Sequence, residues 1–234
     1  MIKPHGSETL NPLLVDDARR AELEKEAEGL PKVVVSSATA ANAVMMGSGY
    51  FNPLTSYMDL EDALMTSDKM VMKNGTFFPV PVLNLLPDVS ALEGAGRIAL
   101  CDPNVDGNPV LAIQTVEKIE EATPEQMKLM TEQVYRTTDM EHPGVSAFNG
   151  QGNFIVSGPI EVLNLSYFAS DFEGTFKTAG EIRDMIAKNG WEKVVAFQTR
   201  NPMHRAHEEL VRMAMDRENA DGAVIHMLLG KLKP

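Results

Sequence analysis

The sequence predicts an α/β protein in two parts: a strand-rich α+β part followed by a parallel α/β part. Short strand-like runs separated by glycine and asparagine turns fill residues 77–163. Helix and strand patterns alternate from residue 178 onward, which is typical of a parallel sheet. At residues 194–208 an apolar strand runs directly into a polar helix start. We therefore expect two domains, at residues 1–168 and 169–234.

The composition is typical of a soluble globular protein. Of the 234 residues, 44% are hydrophobic and 23% are charged, and this length holds one or two domains. No apolar run approaches the ~20 residues that span a bilayer, and the amino terminus lacks the apolar core of a signal peptide. The single cysteine, Cys101, cannot form an internal disulfide and lies in a predicted buried strand. A reducing cytoplasm is the expected location.

The net charge of −12 argues against broad nucleic-acid binding, which usually needs a basic surface. It leaves room for a small anionic ligand, because a few arginines, histidines and backbone N–H groups can bind phosphate or sulfate within an acidic protein.

The amino-terminal elements are predicted from helix formers and their boundary residues. A helix is expected over Asp16–Glu28, ended by Gly29, and a strand over Lys32–Ser36. Residues 50–54 should form a loop, and a second helix is expected over Asp59–Met70.

The strand-rich middle contains four candidate strands, at residues 77–85, 96–101, 109–119 and 153–163. Asp106-Gly107 predicts a hairpin between the second and the third, and Pro79 and Pro81 place the first at a sheet edge. Thr123 opens a capping box that starts a helix, and the residues around His142 should form a turn.

The carboxyl-terminal part begins after a linker at residues 166–175. A second capping box at Thr178 starts a helix that Asn189-Gly190 ends. Strands are expected at Val194–Phe197 and Ala223–Leu228, and ligands of such sheets lie beyond the carboxyl ends of the strands.

The most informative stretch follows Phe197. Pro202 cannot donate to a strand ladder but suits the first helical position, and Asn201 before it is a good N-cap type. The free N–H groups of the first helical turn suit an anion. His204 and His207 lie about 60° apart on a helical wheel, between an apolar stripe that includes Leu210 and a charged face. Each histidine taken alone is as well explained by an ordinary surface or core position.

Residues 198–208 resemble the signature of the ATP sulfurylase (sulfate adenylyltransferase) family. The motif reads Gln198-Thr199-Arg200-Asn201-Pro202-x-His204-x-x-His207-Glu208 without a gap. The stretches Gly158-Pro159-Ile160-Glu161-Val162-Leu163 and Gly230-Lys231-Leu232-Lys233-Pro234 resemble the family too. Family members continue well past the latter and carry a Gly-Arg-Asp-type motif that is lacking here, so we expect an amino-terminal fragment.

The resemblance implies a PUA-like first domain and the start of a Rossmann-like nucleotidyltransferase domain. The implied reaction is adenylyl transfer between ATP and sulfate, giving adenosine 5′-phosphosulfate and pyrophosphate, and it is reversible. Mg²⁺ would accompany ATP, with no tightly bound protein metal. The sequence predicts neither a nucleic-acid partner nor a membrane partner, and it leaves the oligomeric state open, a homo-oligomer included.

The resemblance also assigns roles to six residues. Thr199, Arg200 and Asn201 would be catalytic, Arg200 and Gln198 would hold sulfate, and the nucleotide would be bound by Gln198, Thr199, Asn201, His204 and His207.

Two alternatives remain open at this point. A zinc hydrolase would use His204, His207 and Glu208, although the histidines are three apart instead of the four of an H-E-x-x-H helix. A non-catalytic binding module would use the strand-rich part alone.

Overall fold

The computed structural model describes residues 2–228. Its backbone separates into two compact units, Pro4–Ser166 and Tyr167–Pro234 with Met1–Lys3. Among residues 2–228, no helix combines the length and apolar character that a membrane span requires.

The first unit has seven strands and five α-helices among its described residues. The strands are β1 (Lys32–Val34), β2 (Ser56–Tyr57), β3 (Leu85–Leu86), β4 (Arg97–Cys101), β5 (Val110–Thr115), β6 (Lys118–Glu121) and β7 (Phe154–Val162). The helices are α1 (Asp17–Ala27), α2 (Ser37–Gly47), α3 (Leu60–Lys69), α4 (Pro124–Tyr135) and α5 (Pro143–Asn149).

Strand β7 organises this unit. Its nine residues pair antiparallel with β5, β2, β3 and β6. The sheet runs β1-β4-β5-β7-β2, with β3 and β6 also on β7. Within this strand Gly158 has a φ of 137°, which residues with a side chain rarely adopt. A Cβ at this position would lie 2.0 Å from the carbonyl oxygen of Thr115, so only glycine fits.

Glu161, also on β7, fastens α1 to the sheet through ion pairs. Arg19 donates to it twice, at 2.8 and 3.2 Å, and Arg97 of β4 donates to both Glu161 and Glu26. The hydrogen bond from Arg19 lowers the pKa of Glu161. Beneath this network α1 packs on the sheet through a cluster of Leu23, Ala27, Ala99, Ile113 and Leu163. The Gly158–Leu163 stretch therefore stabilises the fold of this unit.

Most predicted elements with strong local signals are confirmed. Helix α1 begins after the Asp16 cap, and the capping box at Thr123 opens α4. Strands β4 and β5 form the antiparallel pair predicted from Asp106-Gly107, and Cys101 is buried.

Four predictions in this unit were wrong or incomplete. Residues 77–85 are not a strand, because Pro79 and Pro81 remove the N–H donors of the run, and only Leu85 enters a sheet. The 109–119 run is two strands, β5 and β6. The turn at His142 is the start of α5, and helix α2 was not predicted.

The second unit contains helices α6 (Phe168–Asp171), α7 (Ala179–Lys188) and α8 (Arg205–Glu218) and strands β8 (Val194–Thr199) and β9 (Gly222–Met227). The capping box at Thr178 opens α7, as predicted. Strands β8 and β9 are parallel, and α8 connects them. The prediction of a linker over residues 166–175 was wrong in part, because Phe168–Asp171 form helix α6. The alternation of helix and strand predicted after it is confirmed.

We predict that Gly158→Ala destabilises the protein, because the new methyl group would collide with backbone. The free energy of unfolding should fall by more than about 2 kcal/mol. Gly96→Ala is the control, since no atom lies within 4 Å of a Cβ there, and it should change by less than about 0.5 kcal/mol. The measurement is denaturant unfolding of the parent and both variants. Equal stability of Gly158→Ala and Gly96→Ala would contradict the close approach of the Thr115 carbonyl to Gly158.

Candidate functional site

The site candidates lie where β8 and β9 end side by side. The two strands pair over six positions, and the last two pairs are Gln198 with His226 and Thr199 with Met227. The backbone N–H of Leu228 continues the ladder to the carbonyl of Thr199 at 3.0 Å. Strand β8 therefore runs two residues further than predicted, and Gln198 and Thr199 belong to it.

Thr199 shapes the loop that leaves β8. Its hydroxyl donates to the carbonyl of Asn201 at 3.0 Å and accepts the Asn201 N–H at 3.1 Å. A hydroxyl that closes a turn in this way holds the next residues away from the strand direction. The intervening residue, Arg200, is thereby presented at the tip of a defined turn.

The predicted start of the following helix was wrong. Asn201 does not cap it and Pro202 is not its first residue, because α8 begins at Arg205 with His204 as the N-cap. His204 has an extended backbone, with φ −134° and ψ 175°, and Nδ1 of its ring accepts the Ala206 N–H at 3.3 Å. The histidine side chain replaces the asparagine oxygen as the capping acceptor.

His207 completes a reciprocal cap. Its Nδ1 accepts the backbone N–H of His204 at 3.4 Å, as a glutamate would in an ordinary capping box. The two imidazole rings lie 3.9 Å apart between centroids and are tilted by 30°. The ring of Phe197 lies 5.5 Å from that of His207, so the second imidazole packs between strand and helix.

Arg200 is exposed, and within residues 2–228 its guanidinium has no hydrogen bond or ion pair. The Gln198 and Asn201 side chains are likewise exposed and unbonded in this part of the chain. Glu208, in the first turn of α8, is bound to Arg212 at 2.9 Å. It therefore makes no ion pair with the Arg200 guanidinium.

Two further residues, to which the sequence assigned no role, lie near these candidates. Arg205 is the first residue of α8, where a cation is disfavoured by the dipole unless an anion is near. His226 lies opposite Gln198 in the ladder. Position in the helix could have identified Arg205, but only the strand register identifies His226.

The candidates form an open surface with two faces. Successive strand residues point to opposite faces, so Gln198 faces away from Phe197 and hence from the imidazole pair. Thr199 and Asn201 are joined by hydrogen bonds, and His204 and His207 by their cap. The Gly230–Pro234 stretch lies outside the described residues.

The predicted apolar stripe of α8 is also displaced. Leu210 and Met213 are 54% and 58% exposed, whereas Val211, Ala214 and Met215 are half-buried with His207. Of the predicted stripe Ala206, Leu210, Met213 and Ala214, Ala214 therefore lies on the half-buried face of α8 and the other three are exposed.

A second candidate is a cavity of about 360 Å³ in the first unit, remote in sequence from the motif. Asp59 at its wall is 8% exposed, caps α3, and accepts from Lys73 at 2.8 Å and Lys118 at 2.7 Å. Burial alone would raise the pKa of Asp59, but the hydrogen bonds from the Asp62 N–H and the two lysines outweigh it. The pKa therefore lies well below its usual range.

Among residues 2–228, no three His, Cys, Asp or Glu side chains converge on a position where one metal ion could be held. The described histidine pair is thus joined by no third ligand of these types.

Comparison with known families identifies the class. Residues 2–165, more than half of the chain, match the family model described as a PUA-like domain. Residues 173–234 match the model described as ATP-sulfurylase. The chain belongs to the PUA-like domain family through its amino-terminal part, and its carboxyl-terminal part is similar to ATP-sulfurylase.

Curated relatives agree over the whole chain. Proteins named sulfate adenylyltransferase from Alcanivorax borkumensis and Allochromatium vinosum are each 59% identical to it, and one from the Riftia pachyptila endosymbiont is 57% identical. The matches cover 100% of this chain but only 58%, 59% and 53% of those proteins. The chain thus spans less than two thirds of their length.

A solved structure supports the fold. The chain superposes on the hexameric APS kinase from Thiobacillus denitrificans with a TM-score of 0.75 and 25% identity. The match covers 99% of this chain and 40% of that one.

We predict that Asp59→Asn destabilises the first unit, because it leaves two lysine ammonium groups without their shared anion. The loss should be about 2 kcal/mol at pH 7. A depressed carboxyl pKa stabilises the fold above the unfolded pKa of about 4 and loses that effect as pH falls further, so the difference should shrink on acidification. Asp68→Asn, exposed on the same helix, is the control. A pH-independent difference would contradict the ion-pair account.

Proposed function

We propose that this chain carries part of the active site of a sulfate adenylyltransferase, which transfers the adenylyl group of ATP to sulfate. The products are adenosine 5′-phosphosulfate and pyrophosphate, and the reaction is reversible. The single observation that supports this most is the exposed guanidinium of Arg200, without a carboxylate partner within residues 2–228, beside a histidine-capped helix start.

The chemistry explains why such a site is needed. Sulfate and the triphosphate of ATP are both anions and repel each other, and negative charge grows on the α-phosphoryl oxygens and the leaving pyrophosphate. Catalysis then consists mainly of positioning and neutralising charge, and no covalent nucleophile is required.

The proposed roles follow the family motif. Arg200 and Gln198 hold sulfate, because a planar guanidinium and a neutral amide both donate to a tetrahedral oxyanion. Thr199 and Asn201 line the reacting phosphates, and with Arg200 they form the catalytic group. His204 and His207 bind the nucleotide phosphates.

Gln198 contributes to nucleotide binding as well as to sulfate binding in this proposal. Gln198 lies at the end of β8 and faces away from His207. This position supports contact with a ligand that extends past the end of the strand, beyond the start of α8. Thr199 acts partly through the turn that it closes around Arg200.

Mg²⁺ enters the proposal bound to ATP. The exposed site residues are amides, a guanidinium and imidazoles, whereas Mg²⁺ prefers oxygen ligands in octahedral geometry. Glu208, the carboxylate of the motif, is occupied by Arg212. This donor set fits a cation coordinated mainly by phosphate and water.

The proposed domain bounds are 1–168 for the PUA-like domain and 169–234 for the first part of the nucleotidyltransferase domain. The compact units divide the chain near this boundary, between Ser166 and Tyr167. Substrate partners are ATP, sulfate, pyrophosphate and adenosine 5′-phosphosulfate. A cytoplasmic location without nucleic acid remains part of the proposal, as does a homo-oligomer.

A chimera tests the activity directly. This chain replaces the matching segment of the Alcanivorax borkumensis relative, which is 59% identical, and pyrophosphate release from ATP is measured with and without sulfate or molybdate. Oxyanion-dependent release by the chimera supports the proposal. An inactive but folded chimera, beside an active parent, contradicts it and favours a non-catalytic binding module.

We predict that Arg200→Ala in the chimera lowers the turnover by about 10²-fold or more, because one charged donor to the transition state is lost. Arg217→Ala, in the last turn of α8, is the matched control and should retain full turnover. Steady-state rates of both variants are the measurement, and unchanged turnover of Arg200→Ala would remove this residue from the mechanism.

A further inference from the structure

We propose that the cavity beside Asp59 in the first unit binds a small uncharged ligand with adjacent hydroxyl groups, either a free sugar or the ribose of a nucleoside. The cavity has a volume of about 360 Å³ and is lined by residues of the first unit, from Gly6 to Ser157. Ligand pockets in proteins begin at about 300 Å³, so one such molecule can be accommodated. This ligand site does not depend on the proposed adenylyl transfer, which concerns the second unit.

The observation that points to a ligand is the side chain of Ser157. This residue is 4% exposed, yet its hydroxyl group has no hydrogen-bond partner among residues 2–228. Buried polar groups in proteins almost always have a partner, because leaving one unpaired costs free energy. Ser157 lines the cavity, so a molecule inside the cavity can supply the missing partner.

Strand pairing places a charged side chain next to this hydroxyl. Ser157 of β7 lies directly opposite Lys118 of β6, and residues opposite each other in a sheet project to the same face. The Lys118 ammonium donates to Oδ2 of Asp59 at 2.7 Å, and the Lys73 ammonium donates to the same oxygen at 2.8 Å. One buried carboxylate thus holds two ammonium groups beside the cavity.

These groups retain hydrogen-bonding capacity for a ligand. Each ammonium has three N–H donors and uses one of them on Asp59. Lys73 also contacts Asp62, at the longer distance of 3.7 Å, and both carboxylates keep further lone pairs. The hydroxyl groups of Ser56 and Thr76, also at the cavity, have no partner in the described chain. The hydroxyl groups of a sugar both donate and accept, which matches this mixture of groups.

The charges of the lining disfavour strongly charged ligands. Three carboxylates, from Asp59, Asp62 and Glu117, lie at the cavity with two ammonium groups, from Lys73 and Lys118. Despite its burial, the hydrogen bonds to Asp59 keep its pKa well below the usual range, so this carboxylate is charged. A phosphate or sulfate ion would meet a net negative lining, and a compact cation would meet the lysines. An uncharged polyol requires no further charge to be compensated.

Amide NMR spectra of the ¹⁵N-labelled full chain test the site. Methyl β-ribofuranoside represents a free sugar, and uridine represents a nucleoside. At least one of them should give saturable shifts at Ser157, Lys118 and Thr76, and the tighter of the two identifies the source of the hydroxyl pair. The 2-deoxy form of each probe lacks one of the adjacent hydroxyl groups. It should bind about tenfold more weakly, the effect of one hydrogen bond to a charged group.

Substitutions at the buried serine locate the ligand. Ser157→Val fills part of the cavity with a residue suited to a strand and should abolish the shifts. Ser157→Ala removes only the hydroxyl and should weaken binding by about fivefold. Ser48→Ala is the matched control, because Ser48 is also buried but lies outside the cavity lining, and its hydroxyl donates to the carbonyl of Val44. It should bind both probes as the parent does, and thermal midpoints verify that each variant is folded.

Four results would overturn the proposal. Without saturable shifts from either probe, the cavity holds only water. Shifts confined to residues 194–228 would place the probe in the second unit. Equal binding of the ribose and 2-deoxy forms, or of the parent and Ser157→Ala, would refute recognition of the adjacent hydroxyl groups by this lining. The same shifts at Ser157 with inorganic phosphate or sulfate would refute an uncharged ligand.

Discussion

The parallel pairing of β8 with β9 is the constraint on which the candidate site depends. Six paired positions bring Thr199 beside Met227 and end both strands at the same edge. The chain must then leave this edge at once, and the Thr199 hydroxyl turns it around Arg200. Because the connection returns through α8, the histidine-capped start of this helix comes to the same edge. The meeting of strand ends and helix start at this place is a consequence of topology before any side chain is considered.

The two units use their family-like stretches in different ways. In the first unit the Gly158–Leu163 stretch stabilises the sheet: Gly158 allows the close approach of the Thr115 carbonyl, and Glu161 accepts hydrogen bonds from two arginines. In the second unit the corresponding stretch leaves the side chains of Gln198, Arg200 and Asn201 exposed and without hydrogen bonds in the described residues. Similarity to a family is therefore compatible with opposite physical roles, and burial together with hydrogen bonding distinguishes them.

The success of sequence reasoning depended on how local the signal was. The capping boxes at Thr123 and Thr178 were predicted correctly, since donor and acceptor lie three residues apart. The α8 start was predicted wrongly, because Pro202 and Asn201 form the usual boundary pattern whereas histidine is an uncommon cap. Residues 77–85 looked like a strand by composition, but two prolines left the run without enough donors to pair.

The sequence by itself determined the resemblance to a family, the α/β class, the candidate site segment and the capping boxes at Thr123 and Thr178, because these follow from residue types at short, fixed spacings. Only the tertiary structure decided that Gln198 and His226 share one face while the imidazole pair contacts Phe197 on the other. It also decided that Leu210 is exposed and that β7 joins four strands. The physical reason is that strand register and helix phase are set by packing between segments distant in sequence, which no local pattern encodes.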